Sequence, residues 1–161
     1  SCTGGQVAAA ITQVPGASNV FCGSLVSYQI ESKKQWLGLN ASILKKNPDA
    51  VSNEAALAMA KLGLKKTRQA TLCISITGHV GPHAPVRKDG LIFIGITSRS
   101  KSMNPGQVFS FQIKHPRPRL ERQLLASLLV LSMVRSLLTT DGLGEKNGNS
   151  VTQFDTKKQS N

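Results

Sequence analysis

No stretch of this chain restricts its fold more than Leu91-Ile92-Phe93-Ile94-Gly95-Ile96. Apolar residues follow one another here without a polar alternate, the pattern of a strand buried on both faces. Two neighbouring segments read as further strands. Leu72, Ile74 and Ile76 are apolar within Thr71–Ile76, with small residues between, and Val108–Ile113 alternates Val108, Ser110 and Gln112 against Phe109, Phe111 and Ile113. A shorter strand is expected over Gly23–Tyr28. Helical patterns separate these strands, so the expected fold is a three-layer α/β/α sandwich around a mixed sheet.

The helical segments carry their own signals. Apolar Val7, Ile11 and Val14 recur at helical spacing after Gly4-Gly5. Glu31 to Leu37 is expected to be helical, anchored in the core by Ile30 and Trp36 and stopped by Gly38. A short helix is expected over Asn40–Lys46. Ser52 is a good N-cap for a helix running to about Thr67, with Glu54 complementing its dipole. The last helix starts at Arg117 or Arg119 and runs to Thr139, with Leu120, Leu124, Leu128, Leu131, Val134 and Leu138 as its expected buried stripe. The chain's longest apolar run, Gln123 to Val134 between Arg122 and Arg135, is too short for a bilayer, which needs about 20 residues, and reads as a buried helix. The domain is therefore expected over residues 1–140, with 141–161 as a polar, disordered tail.

The chain carries 20 Lys and Arg against 8 Asp and Glu, a net charge of +12. The basic residues come as scattered pairs (Lys33-Lys34, Lys45-Lys46, Lys65-Lys66, Arg87-Lys88, Lys157-Lys158), with no aromatic residues interleaved as a single-strand platform requires. Solvated surface is the plainer reading, with some non-specific attraction to polyanions. Cys2, Cys22 and Cys73 are widely spaced and odd in number, which suggests neither a disulfide framework nor a zinc site. His79, His83 and His115 have no carboxylate at ligand spacing and read as exposed loop residues, so no metal or other cofactor is expected. A reducing, cytoplasmic setting follows.

The candidate chemistry lies in Ser1-Cys2-Thr3-Gly4-Gly5. Two glycines allow close approach of backbone to a ligand, and a helix beginning here would point N–H groups at Ser1 and Thr3. A hydroxyl in that place is a nucleophile if a base is near, and Lys33 is the residue to test. Taken alone, small polar residues before a helix are more often plain caps, and a lone lysine is more often exposed. The α-amino group of Ser1 acting as its own base is a weaker alternative.

Several of these stretches occur in the order of a known family. The chain resembles the CinA C-terminal domain family, whose stand-alone members include nicotinamide mononucleotide deamidases, from Ser1 to about Leu138. Ser1–Gly5 supplies the family's Glu-Ser-Cys-Thr-Gly-Gly without the Glu, and Val14-Pro15-Gly16-Ala17-Ser18 resembles its Val-Pro-Gly-Ser-Ser. Tyr28, Glu31, Lys33, Leu37 and Gly38 fall on its Tyr-Ser-Asn-Glu-Ala-Lys…Leu-Gly motif. Thr77-Gly78-His79-Val80-Gly81-Pro82 falls on its Ser/Thr-Gly-Ile-Ala-Gly-Pro loop. The resemblance implies an amidohydrolase that converts nicotinamide mononucleotide to the acid and ammonia. Ser1 would be nucleophile and Lys33 general base, with Tyr28 beside them. Thr3, Gly4, Gly5, Thr77, Gly78, Gly81, Arg117 and Arg122 would bind substrate. The implied partners are a small nucleotide and further copies of the chain in a homo-oligomer, with no membrane and nucleic acid only non-specifically.

The chain also departs from the family pattern. The helix and strand that precede the family's nucleophile are lacking, which should leave an apolar sheet edge open. Pro48-Asp49 replaces His-Gly, Gln29-Ile30 replaces Ser-Asn, and His115-Pro116-Arg117 stands at a Gly-Asp-Arg turn. A relative that binds a nucleotide without turnover is therefore the alternative to the enzyme, and a basic nucleic-acid binder is a third possibility.

Overall fold

A computed structural model of the chain describes residues 1–100, 106–113 and 117–140. The expected tail and the His115-Pro116 part of the altered turn lie outside them. Three strands, β1 (Leu72–Gly78), β2 (Leu91–Ser98) and β3 (Gln107–Gln112), form a sheet in the order β1-β2-β3. Both pairings are antiparallel, with Ile76 opposite Ile94 and Ile94 opposite Phe109. The mixed sheet expected from the apolar β2 is thus antiparallel throughout among the described residues. Burial on both faces comes instead from β2 lying centrally between two helical layers.

The described residues also form five α-helices: α1 (Gln6–Thr12), α2 (Ile30–Ser32), α3 (Ala41–Lys46), α4 (Asn53–Lys66) and α5 (Arg119–Thr140). On one face, Ile76, Ile92, Ile94 and Ile96 join Cys2, Ala126 and Val130 in a core that α5 and α1 cover. On the other face α4 lies so close that Ser75 Oγ donates to Ala56 O at 2.5 Å. A second core, of Leu37, Leu39, Leu44, Ala55 and Met59, joins α3 and α4 to the segment before them. The three-layer α/β/α sandwich is therefore present.

Both caps act as their residue types require. Ser52 Oγ accepts the Ala55 N–H at 3.1 Å, and Asn40 Oδ1 accepts that of Ser42 at 2.9 Å. Ser52 is itself buried. Ser52→Ala should therefore cost about 1 kcal/mol, read as a lower denaturant midpoint with unchanged slope.

Four expectations are corrected. Gly23–Tyr28 forms no strand, and Leu25 and Val26 are exposed. Trp36 is not a core anchor but is 51% exposed. It lies in a π-helical turn, Lys33–Leu37, whose wider winding buries Lys33 and Leu37 and turns Trp36 outward. In α5 the expected stripe is rotated. Leu120, Leu124, Leu128 and Leu138 face outward, while Arg122, Ala126, Ser127 and Val130 are buried; of the expected stripe, Leu131 is half-buried and Val134 packs against the core. Small side chains at 126 and 127 permit close packing on the sheet and on α1, which larger leucines would prevent. Helix α5 is also longer than its apolar run: Arg119–Thr139 is long and apolar enough, by length and composition, to cross a membrane, with one side packed on the sheet. Lastly, His79 is half-buried, and its Nε2 lies 3.0 Å from Asp49 Oδ2. The carboxylate missing near it in sequence comes from a loop thirty residues away.

Strand β1 lies at an edge of this sheet, its only strand partner among the described residues being β2. The main-chain nitrogen of Ser1 donates to Ile76 O at 2.6 Å on that edge.

Candidate active site

Ser1–Gly5 is a tight turn, closed by Gly4 N–H donating to Ser1 O at 3.0 Å and Gln6 N–H donating to Thr3 O at 3.2 Å. Gly4 and Gly5 have φ of 60° and 97°, a left-handed path that explains why two glycines stand here. Helix α5 supports the turn from behind, with Gln123 Nε2 donating to Cys2 O at 2.9 Å. Cys2 and Thr3 are buried, while Ser1 is half-buried beside β1 and its Oγ lies 3.4 Å from Ile76 O.

Lys33 is 3% exposed, which is rare for a lysine with no carboxylate partner. Its Nζ donates to the Tyr28 carbonyl at 2.9 Å. Burial lowers the pKa of this amine from its ordinary value, against an opposing pull from the Cys2 thiol. Burial likewise raises the Cys2 thiol, and the charges of Arg119 and Lys33 oppose that rise. The segment that carries Tyr28 and Lys33 passes the turn, since a Cβ on Gly5 would lie 3.4 Å from the Val26 side chain. Ser1 Oγ and Lys33 Nζ are not hydrogen-bonded to each other: each is held by a main-chain carbonyl.

Tyr28 does join the cluster, although mainly through its backbone. Its carbonyl orients Lys33, and its exposed phenol accepts a hydrogen bond from Arg119 Nη2. Arg119 also passes over Gly81, where a Cβ would lie 2.6 Å from Nη1. Gly81 is thus a glycine because a guanidinium occupies the space of its side chain. Arg119 escaped the sequence reading because Arg117 and Arg119 flank Pro118, and nothing in the pattern tells which one turns inward.

The other expected binding residues have structural tasks. Thr77 Oγ1 donates to Ala50 O at 2.8 Å, fixing a non-glycine residue with φ 53°. A Cβ on Gly78 would strike Ile92 and the Leu91 carbonyl, so sheet packing explains that glycine. Arg117 reaches Glu121 at 3.3 Å on the surface, and buried Arg122 forks onto both oxygens of Asp89.

Behind the Thr77–Pro82 loop, Asp49 draws several elements together. It accepts from Lys88 Nζ at 2.7 Å, from His79 and from the Val51 N–H. Burial alone would raise this carboxyl, but these donors outweigh it and hold the pKa at about 2. A depressed carboxyl stabilises the folded state above its unfolded value of 3.8 and loses that contribution as pH falls toward 2. Acid unfolding between about pH 4 and 2 should therefore flatten in Asp49→Asn relative to the parent chain, measured by circular dichroism.

Comparison with known proteins gives the family. The profile of the CinA C-terminal domain matches residues 1–138. The chain belongs to the CinA C-terminal domain family. A CinA-like protein of Thermotoga maritima is 44% identical over 98 residues, covering 60% of this chain and 24% of that relative. Another, from Prochlorococcus marinus, is 36% identical over 143 residues, covering 88% of this chain and 32% of the relative. The chain therefore spans about a third or less of these curated relatives. Among solved structures, the competence/damage inducible protein CihA of Agrobacterium tumefaciens superposes with a TM-score of 0.74 at 30% identity, over 86% of this chain and 81% of that one.

Proposed function

We propose that this CinA-family domain is a cytoplasmic amidohydrolase that cleaves the carboxamide of nicotinamide mononucleotide to nicotinate mononucleotide and ammonia. The observation that carries this reading is the buried Lys33 amine beside the Ser1–Gly5 turn, with its proton affinity lowered by that burial. A neutral amine accepts the Ser1 Oγ proton, and the alkoxide adds to the carboxamide carbon. The developing oxyanion is met by main-chain N–H groups of Thr3 and Gly5 in this reading, supported by their not being used in the turn's own hydrogen bonds. Lys33 then returns its proton to the departing nitrogen, ammonia leaves, and water hydrolyses the acyl-serine with Lys33 again as base. The exposed Arg119, held by Tyr28, supplies a cation for the nucleotide phosphate.

The test is ammonia release matched to nicotinate mononucleotide formation. Turnover that survives both Ser1→Ala and Lys33→Ala removes the assigned pair. A second reading, nucleotide binding without chemistry, draws on the separate carbonyl partners of Ser1 Oγ and Lys33 Nζ. Calorimetric binding with no ammonia release selects it.

A further inference from the structure

A groove of about 630 Å³ lies where the end of α4 meets the end of β2, lined by Lys61, Leu64, Lys65, Arg68, Thr97 and Arg99. Four of these six residues are cationic and none is acidic. It is set apart from the Ser1 turn: Thr97 pairs with Cys73 near the start of β1, on the α4 face, whereas Ser1 attaches at Ile76 and packs Cys2 against the α5 face.

Arg99 forms the fixed part of the groove. Its Nε donates to Ala70 O at 2.9 Å, and its Nη2 to Leu64 O at 2.5 Å. Through Leu64 O it caps a carbonyl at the negative end of α4, which would otherwise repel an anion. Lys61 and Lys65 stand one turn apart on α4, and Arg68 follows just past its end; all three are exposed. Among the described residues none of the three has an acidic partner. The described acids are occupied elsewhere: Glu31 by Lys34, Asp49 by His79 and Lys88, Asp89 by Arg122, and Glu121 by Arg117. Glu54 sits in the first turn of α4, some 16 Å along the axis from Lys65 at about 1.5 Å per residue, beyond the screening length of physiological salt.

We infer that this groove is a docking site for the phosphodiester backbone of a nucleic acid, read without regard to sequence. Its four cations suit phosphate oxygens, and with no aromatic lining residue it offers no platform for bases. This site stands independently of the Ser1–Lys33 assignment.

The test is anisotropy of fluorescein-labelled single-stranded and duplex DNA, titrated with the whole chain at several salt concentrations. Binding should weaken steeply with salt, and Lys61→Glu/Lys65→Glu/Arg68→Glu should weaken it about tenfold or more while flattening the salt slope. The control, Lys45→Glu/Lys46→Glu/Arg87→Glu, makes the same charge change at exposed positions elsewhere. It should retain most of the affinity. Equal losses in both variants would overturn the inference in favour of diffuse attraction to the +12 chain. Displacement of the DNA by equimolar inorganic phosphate would overturn it in favour of a small-anion site. Thermal melting of both variants, expected to match the parent chain, separates lost binding from lost folding.

Discussion

Lys33→Ala should lower turnover of nicotinamide mononucleotide by about a thousandfold while leaving the fold intact, since general base catalysis by a positioned group supplies roughly two to four orders of magnitude. Lys33→Arg should fail equally, because a guanidinium does not give up its proton near neutral pH. Lys34→Ala is the matched control: its side chain is exposed and paired with Glu31, so activity should persist. The pH profile carries the sign. The active form is the free amine, so kcat/KM should rise with pH and level off below the ordinary lysine value of 10.5, because burial has lowered this pKa. Stability has a linked signature. Between the lowered value and 10.5 the unfolded chain binds the extra proton, so this group's contribution makes folding more favourable as pH rises. A Lys33→Ala variant with parental turnover would end the assignment.

The largest effect on stability is expected at Gly95→Val. Gly95 sits in the middle of β2, opposite both Ser75 and Val108. A Cβ there would lie 2.4 Å from Ala56 O and 2.8 Å from Leu57 N, which is helix backbone that cannot rotate away. Relief requires α4 to lift off the sheet, and that also breaks the Ser75 to Ala56 hydrogen bond. The expected loss is about 3 kcal/mol or more, a drop in melting temperature on the order of 10 °C. Circular dichroism melts of Gly95→Ala and Gly95→Val should show the second falling further. A Gly95→Val chain melting with the parent would mean that α4 does not pack as closely as described.

Much of this fold is legible in residue order because its signals are local. The apolar run at 91–96, the alternation at 108–113 and the Ser52 cap each act through neighbours within a few positions, so spacing alone identifies them. Pairs of glycines at 4 and 5 likewise announce a turn that residues with a Cβ rarely take. Where spacing was followed too far, it failed at Trp36 and along α5. A π-helical turn re-aims Trp36, and α5 packs a different face than expected, with Ala126 and Val130 in the core flanked by Leu125, Leu129 and Leu137 in place of Leu120, Leu124 and Leu128.

What residue order determined by itself was the three sheet strands and the longer helices, the family, and the Ser1 turn with Lys33 as the pair to examine; the strand expected at Gly23–Tyr28 did not form. Only the tertiary structure decided that Arg119, and not Arg117 or Arg122, reaches Tyr28 and Gly81, and that Asp49 meets His79 and Lys88. The physical reason is distance along the chain. Charges and packing surfaces separated by dozens of residues find one another only when the sheet fixes which helix face turns inward, and no periodicity within a single element carries that information.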